Sequence, residues 1–189
     1  MVSGRRLEHL ALTFTQFDLF DCLVLENGGL LYWPKSNREV TLAAPPPPEL
    51  VQFLKDAGAI PVVYGRVIVA TESPFEPAMV RGISSLNLDW HIILNKGAVM
   101  ALPRGVDKAS GLAACLNQMN IPFAQVVGIG DAENDLTFLE TCGLSVAVEN
   151  ALETVKNRTQ LITKNPNGAG TEELISAILK MKSMPPTTA

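Results

Sequence analysis

The stretch "VVGIGDAEND", Val126–Asp135, is an apolar run that ends abruptly in acids. Its first residues predict a buried strand of a parallel sheet, since apolar side chains occupy both faces. Asp131 then stands at the carboxyl end of that strand, where ligands sit in open α/β sheets. Asp135 follows four residues later, and the two carboxylates supply hard oxygen donors suited to Mg²⁺. A plainer reading makes Asp131 a helix cap, with Glu133 and Asp135 matching the positive helix N-terminus. The full G-D-x-x-N-D pattern at a strand end favours the metal. A dinucleotide fingerprint fits less well, because "GIGDAE" lacks the third glycine and places an acid where pyrophosphate would sit.

Working outward, short apolar runs alternate with helical patterns, which predicts an α/β fold on a parallel sheet. A helix over 107–119 precedes the strand, and a helix from 132 to about 141 follows it. Then come the strand "LSVAV", a helix from 151, the strand "QLIT" and a last helix "TEELISAILKM". The tail "SMPPTTA", 183–189, is expected to fray. Toward the N-terminus, "DCLVLEN" at 21–27 reads as a buried strand turning back at Asn27-Gly28. The prolines of "AAPPPP", 43–48, punctuate the chain. After them come a helix ended by Gly58, strands about Gly65, a second helix opened by proline, and the hairpin "WHIIL-NKG-AVMALP". Residues 45–103 therefore form a compact α+β unit of their own.

Composition narrows the function classes. The 189 residues are 47% apolar and 18% charged, which suits a globular core. A net charge of −4 gives no electrostatic reason to expect nucleic acid or an anionic membrane. The first ten residues show no apolar segment of a secretory signal, and no apolar run reaches membrane-spanning length. Cys22, Cys115 and Cys142 are odd in number and lack any C-x-x-C spacing. They predict a reduced, cytoplasmic setting, with Cys22 and Cys142 as small core residues.

Several single residues carry two readings. Asp107 reads as a helix N-cap with Lys108 in the first turn. A lysine there opposes the helix dipole unless an anion sits beside it, and a solvated surface lysine is the alternative. Ser3, in "VSGR", stands just before an expected helix start, where a hydroxyl and free N–H groups can hold phosphate; taken alone it reads as a cap. Asn150 with Glu153 resembles a capping box, which makes a phosphate role the weaker reading. Glu26 and Asn27 could face a substrate, but Asn-Gly is also a strong turn signal. Trp33, Trp90 and His91 read as packing residues. Neither His9 nor His91 has a carboxylate or cysteine at ligand spacing.

Taken in order, the pieces resemble the haloacid dehalogenase superfamily of phosphatases, in its Cof-type branch with an inserted cap. "VSGR" resembles that family's second motif, "GVDK" the third, and "GDAEND" with the trailing "VAVENA" the fourth; "ENGGLLY" is similar to the segment leading into the cap. The resemblance implies a Rossmann-like core at 1–44 and 104–189 with a small α+β cap at 45–103. It implies that Ser3 binds phosphate, that Lys108 neutralises it, that Asp131 and Asp135 hold Mg²⁺, and that Asn134 positions their loop. The implied substrate is a small phosphorylated metabolite. The family's first motif, D-x-D, occurs nowhere in the sequence. Asp18 and Asp21 are spaced D-x-x-D and lie after the second motif, so they do not replace it. The resemblance therefore implies that the first strands, with the nucleophile, are missing, and that turnover is absent or very weak. A second expectation is a non-catalytic phosphate- or metal-binding remnant, or a regulatory partner. Without those strands "VVGIG" exposes an apolar edge, to be closed by "DCLVLEN" or covered by a second copy in a homodimer.

Overall fold

A computed structural model of the chain describes residues 1–183. Of the tail expected to fray, all but Ser183 lies outside the described residues. The chain divides into two compact units, Met1–Ile121 and Pro122–Ala189. Among the described residues, no helix is long and apolar enough to cross a membrane.

In the first unit, a short helix α1 (Leu7–Ala11) precedes the antiparallel strands β1 (Leu23–Leu25), β2 (Leu30–Trp33) and β3 (Arg38–Thr41). Leu23, Val24, Leu25, Leu30 and Leu31 are buried almost completely. Burying each leucine contributes about 2 kcal/mol, which fixes this ribbon in the core. The chain's first residues run alongside β1. Val2 bridges Val24 in parallel, Ser3 N–H donates to the Val24 carbonyl at 2.8 Å, and Val24 N–H donates to the Met1 carbonyl at 2.8 Å.

The β1–β2 hairpin turns where Asn27-Gly28 predicts it, in an unusual backbone. Glu26, Asn27 and Gly28 have φ of 53°, 49° and 102°, three left-handed residues in a row. Asparagine and glycine tolerate this region; glutamate pays a strain cost. Its carboxylate repays it. One Glu26 oxygen accepts the N–H of Arg66 at 3.0 Å, and the other accepts those of Val67 and Ile68 at 2.9 and 3.2 Å. Glu26 and Asn27 are fully buried, so neither presents a side chain to solvent.

Helix α2 (Pro48–Asp56) starts on the last proline of the run, where the missing N–H costs nothing. The strands β4 (Val63–Tyr64) and β5 (Val69–Glu72), the helix α3 (Glu76–Ser85), and the hairpin β6 (Trp90–Asn95) and β7 (Ala98–Pro103) follow. The strands form one antiparallel sheet in the order β4-β5-β7-β6. Leu50 and Leu54 of α2 and Met79 of α3 pack with Val69, Val99 and Ala101 on one sheet face. Met100, Leu102 and Ile93 join Val67, Ile68 and Val106 in a second cluster. This segment belongs to the same compact unit as the β1–β3 ribbon.

Helix α4 (Lys108–Met119) closes the first unit. Asp107 caps it: its Oδ1 accepts Ser110 N–H at 2.8 Å, and Ser110 Oγ accepts Asp107 N–H at 2.9 Å. A Cβ on Gly111 would stand 2.4 Å from the Gly28 Cα, and one on Gly28 would stand 1.8 Å from the Asp107 carbonyl oxygen. The start of α4 therefore rests on the hairpin turn backbone to backbone, a fit that only glycine allows.

The second unit comprises β8 (Val127–Gly130), α5 (Leu136–Leu139), β9 (Leu144–Ala147), α6 (Glu153–Lys156), β10 (Leu161–Ile162) and α7 (Asn167–Ser183). Its strands form a parallel sheet in the order β10-β9-β8. The helix expected from 132 instead begins as a 3₁₀ turn, Glu133–Asp135, before α5. Among the described residues, β8 stands last in the order of its sheet, and β1, the strand expected to close its edge, stands in a different sheet.

The buried Glu26 carboxylate yields a stability prediction. Glu26→Ala strands three backbone N–H groups and should cost about 3 kcal/mol or more in urea unfolding. Arg66→Ala, which removes exposed ion pairs to Glu8 and Glu39, should cost less than about 1 kcal/mol.

Candidate functional site

In the first unit, Ser3 does not cap a helix. Helix α1 starts only at Leu7, with Arg6 as its N-cap and no side-chain cap. The Ser3 hydroxyl accepts the N–H of Arg5 at 3.2 Å, and its carbonyl accepts the N–H of Asn27 at 3.2 Å. A hydroxyl whose lone pair is taken by its own turn keeps its proton for another acceptor. The following residue is tightly packed: a Cβ on Gly4 would meet the Asn27 amide oxygen at 2.9 Å. Lys108 is 7% exposed, which sets aside the solvated-surface reading. A buried ammonium needs oxygen partners. The turn Asn27-Gly28 touches the Ser3–Gly4 segment on one side and the first turn of α4 on the other. The first unit thereby gathers a hydroxyl loop and a buried lysine about one turn.

In the second unit, the loop after β8 is shaped by Asp135. Its Oδ2 accepts the N–H groups of Asp131 and Ala132 at 3.0 and 3.2 Å, and the residue is 7% exposed. Gly130 makes this possible, since a Cβ there would stand 2.7 Å from the Asp135 Cβ. The Asp131 carbonyl accepts Leu152 N–H at 3.1 Å, tying the loop to the segment after β9. Asp131 is half-buried, as is Asn134. Asp131 and Asp135 are therefore neighbours, with one Asp135 oxygen committed to backbone.

Asn150 departs from its expected capping box. Helix α6 begins at Glu153 with Leu152 as an uncapped N-cap. The exposed Asn150 amide instead exchanges hydrogen bonds with Asn167, accepting its N–H at 2.8 Å and donating to its Oδ1 at 2.9 Å. It holds the first residue of α7.

The other singled-out residues pack. Trp33 carries the Arg38 guanidinium 5.2 Å from its ring centroid, and Trp90 packs against the α2–α3 cluster. Cys22 and Cys115 share one buried cluster. A hydrogen bond that the Cys22 thiol donates to Cys115, together with burial, pushes Cys22 well up, and burial raises Cys142. None of the three is disulfide-bonded. Sequence reading missed that Glu26 and Asn27 act on backbone rather than toward solvent. The only local signal was a glutamate placed before Asn-Gly, where left-handed geometry suits it poorly.

The donor set bears on a metal. Among the described residues, no group of three or more histidines, cysteines or acids clusters as a metal site. The second unit offers two carboxylates, Asp131 and Asp135, both hard oxygen donors. Mg²⁺ commonly takes only one or two carboxylates and keeps water for the remaining positions, so this pair fits it.

The family model for haloacid dehalogenase-like hydrolases matches residues 78–175, just over half of the chain. Two curated relatives are similar over most of it. Phosphoglycolate phosphatase 2 of Saccharolobus solfataricus is 28% identical over 165 residues, 82% of this chain and 66% of the relative. Phosphoglycolate phosphatase of Sulfolobus acidocaldarius is 24% identical over 182 residues, 95% of this chain and 79% of the relative. The chain thus spans about two thirds to four fifths of their lengths. Among solved structures, a haloacid dehalogenase-like hydrolase from Bacteroides thetaiotaomicron superposes with a TM-score of 0.78 at 19% identity, covering 94% of this chain and 85% of that one. A Bacillus subtilis haloacid dehalogenase-like hydrolase gives 0.68 at 15%, covering 93% and 85%. At such identities the superpositions speak for the fold alone.

The loop geometry gives the Asp135 carboxylate a load that unfolding can read. Asp135→Ala removes an acceptor of two backbone N–H groups and should cost about 1–3 kcal/mol in urea unfolding.

Proposed function

We propose, from the premise that the chain belongs to the family of haloacid dehalogenase-like hydrolases, that it is a phosphomonoester-binding protein of the phosphatase type. The observation that carries this reading is the acidic loop after β8, where Asp135 folds back on the Asp131 and Ala132 N–H groups. The relatives' names make phosphoglycolate the first small phosphorylated metabolite to test.

Each unit contributes its own groups. In the first, the Ser3 hydroxyl donates to a phosphate oxygen, its lone pair being engaged by Arg5 N–H. Lys108, at the capped start of α4, supplies a positive charge against the same anion. In the second, Asp131 and Asp135 would hold Mg²⁺, and Asn134 would keep their loop in place. When bound, the ion offsets negative charge on phosphate oxygens. The segment 45–103 is assigned as a cap over the substrate, with 1–44 and 104–189 as core.

Hydrolysis in this family's manner needs a carboxylate nucleophile, and the D-x-D motif that supplies it is not among the 189 residues. In a second reading the chain binds phosphate or metal without turnover and serves a regulatory role. The edge of β8 suits a further strand, and a second copy of the chain in a homodimer is one source. Three free cysteines suit a cytoplasmic setting.

The test joins binding to turnover in the purified chain with Mg²⁺ and phosphoglycolate. We expect saturable binding, weakened about tenfold or more by Lys108→Ala, since it removes a charge-assisted contact. We expect phosphate release close to background. Vigorous release that survived Asp131→Ala would overturn the site assignment, and failure of phosphoglycolate, inorganic phosphate and Mg²⁺ alike to bind would overturn both readings.

A further inference from the structure

Asn27 takes no part in the roles above, yet it is fully buried beside the residues that carry them. We infer that Asn27 is a positioning residue that holds the Ser3–Gly4 segment in its phosphate-binding conformation and links it to strand β7. The inference rests on the phosphate reading of Ser3.

Three observations converge on it. The Asn27 N–H donates to the Ser3 carbonyl at 3.2 Å, fixing the peptide that leads into Gly4. Its side-chain amide lies flat on Gly4: a Cβ added there would stand 2.9 Å from Oδ1, 3.1 Å from Nδ2 and 3.2 Å from Cγ. The same amide donates from Nδ2 to Met100 Sδ at 3.1 Å. Met100 pairs with Ala70 of β5 and Ile93 of β6, at the middle of the four-stranded sheet. One amide thus joins the Ser3–Gly4 backbone to the interior of that sheet.

The backbone of Asn27 explains why this residue stands here. At φ 49° it occupies a region that asparagine enters more readily than other residues with side chains. Glycine would tolerate the backbone equally but would carry no amide to press on Gly4. Gly4 is the complementary half, because any side chain on it would collide with the amide. A loop pinned by its neighbour loses little freedom when an anion binds, whereas an unpinned loop must be ordered at that moment.

The test is isothermal titration of inorganic phosphate, with Mg²⁺ present, into the full chain and four variants: Ser3→Ala, Asn27→Gly, Gly4→Ala and Asn27→Gly/Gly4→Ala. Asn27→Gly keeps the left-handed backbone and removes only the amide. Freeing about one residue's backbone should weaken phosphate about fivefold. Gly4→Ala, which forces the same contact apart from the other side, should do likewise. The double variant should bind no more weakly than Asn27→Gly alone, because the missing amide leaves room for the methyl group. That non-additivity reads positioning, since a role in folding alone would lower the melting temperature and leave the phosphate affinity of the folded chain unchanged. If both single variants bind within about threefold of the parent while Ser3→Ala is weakened, the inference is overturned and the phosphate reading stands. If Ser3→Ala itself binds as the parent does, the phosphate reading falls and takes the inference with it. Should Asn27→Gly not fold, Gly4→Ala decides by the same threshold.

Discussion

Three consecutive left-handed residues, Glu26, Asn27 and Gly28, are the constraint on which the first unit depends. Each faces a different neighbour. Glu26 accepts the N–H groups of residues 66–68, Asn27 presses on Ser3 and Gly4, and Gly28 receives the start of α4. Such backbone costs of order 1–3 kcal/mol per strained residue and persists only where the surroundings over-determine it. Here three hydrogen bonds to one carboxylate, a buried amide and a glycine-on-glycine contact do so. Ser3 and Lys108, more than a hundred residues apart in sequence, become neighbours of one turn by this means.

The second unit builds its loop by a different economy. Parallel strand β8 delivers the chain to Gly130, whose missing side chain lets Asp135 fold back on the peptides of Asp131 and Ala132. One carboxylate therefore commits an oxygen to the shape of the loop. This arrangement suits a site in which an acid must stand at a strand end with its loop already formed, so that little reorganisation accompanies binding.

The sequence made the regular elements readable where local rules sufficed. The apolar run of β8, the Asp107–Ser110 start of α4, the Lys96-Gly97 hairpin and the proline-opened α2 and α3 are each specified within a few residues. The candidate site was readable only as residue types: an acid pair after a strand, a lysine in a first helical turn, a serine beside glycine. What escaped was partnership at long range. Nothing near Glu26 announces that its carboxylate will serve residues 66–68, forty positions on. Ser3 looked like a helix cap because its neighbours permit one, but the chain extends along β1 before α1 begins. Asn150 looked like half of a capping box, and its amide went to Asn167 because α7 starts beside it. In each case a local explanation was available, and a tertiary contact outcompeted it.

The most direct test of the central claim, that one turn organises a phosphate site in the first unit, is amide hydrogen exchange with and without inorganic phosphate. The account predicts slowed exchange at residues 3–5 and 108–110 together, with the β6–β7 hairpin tip unchanged. Unaltered exchange at both segments under saturating phosphate, or protection confined to other parts of the unit, would contradict it.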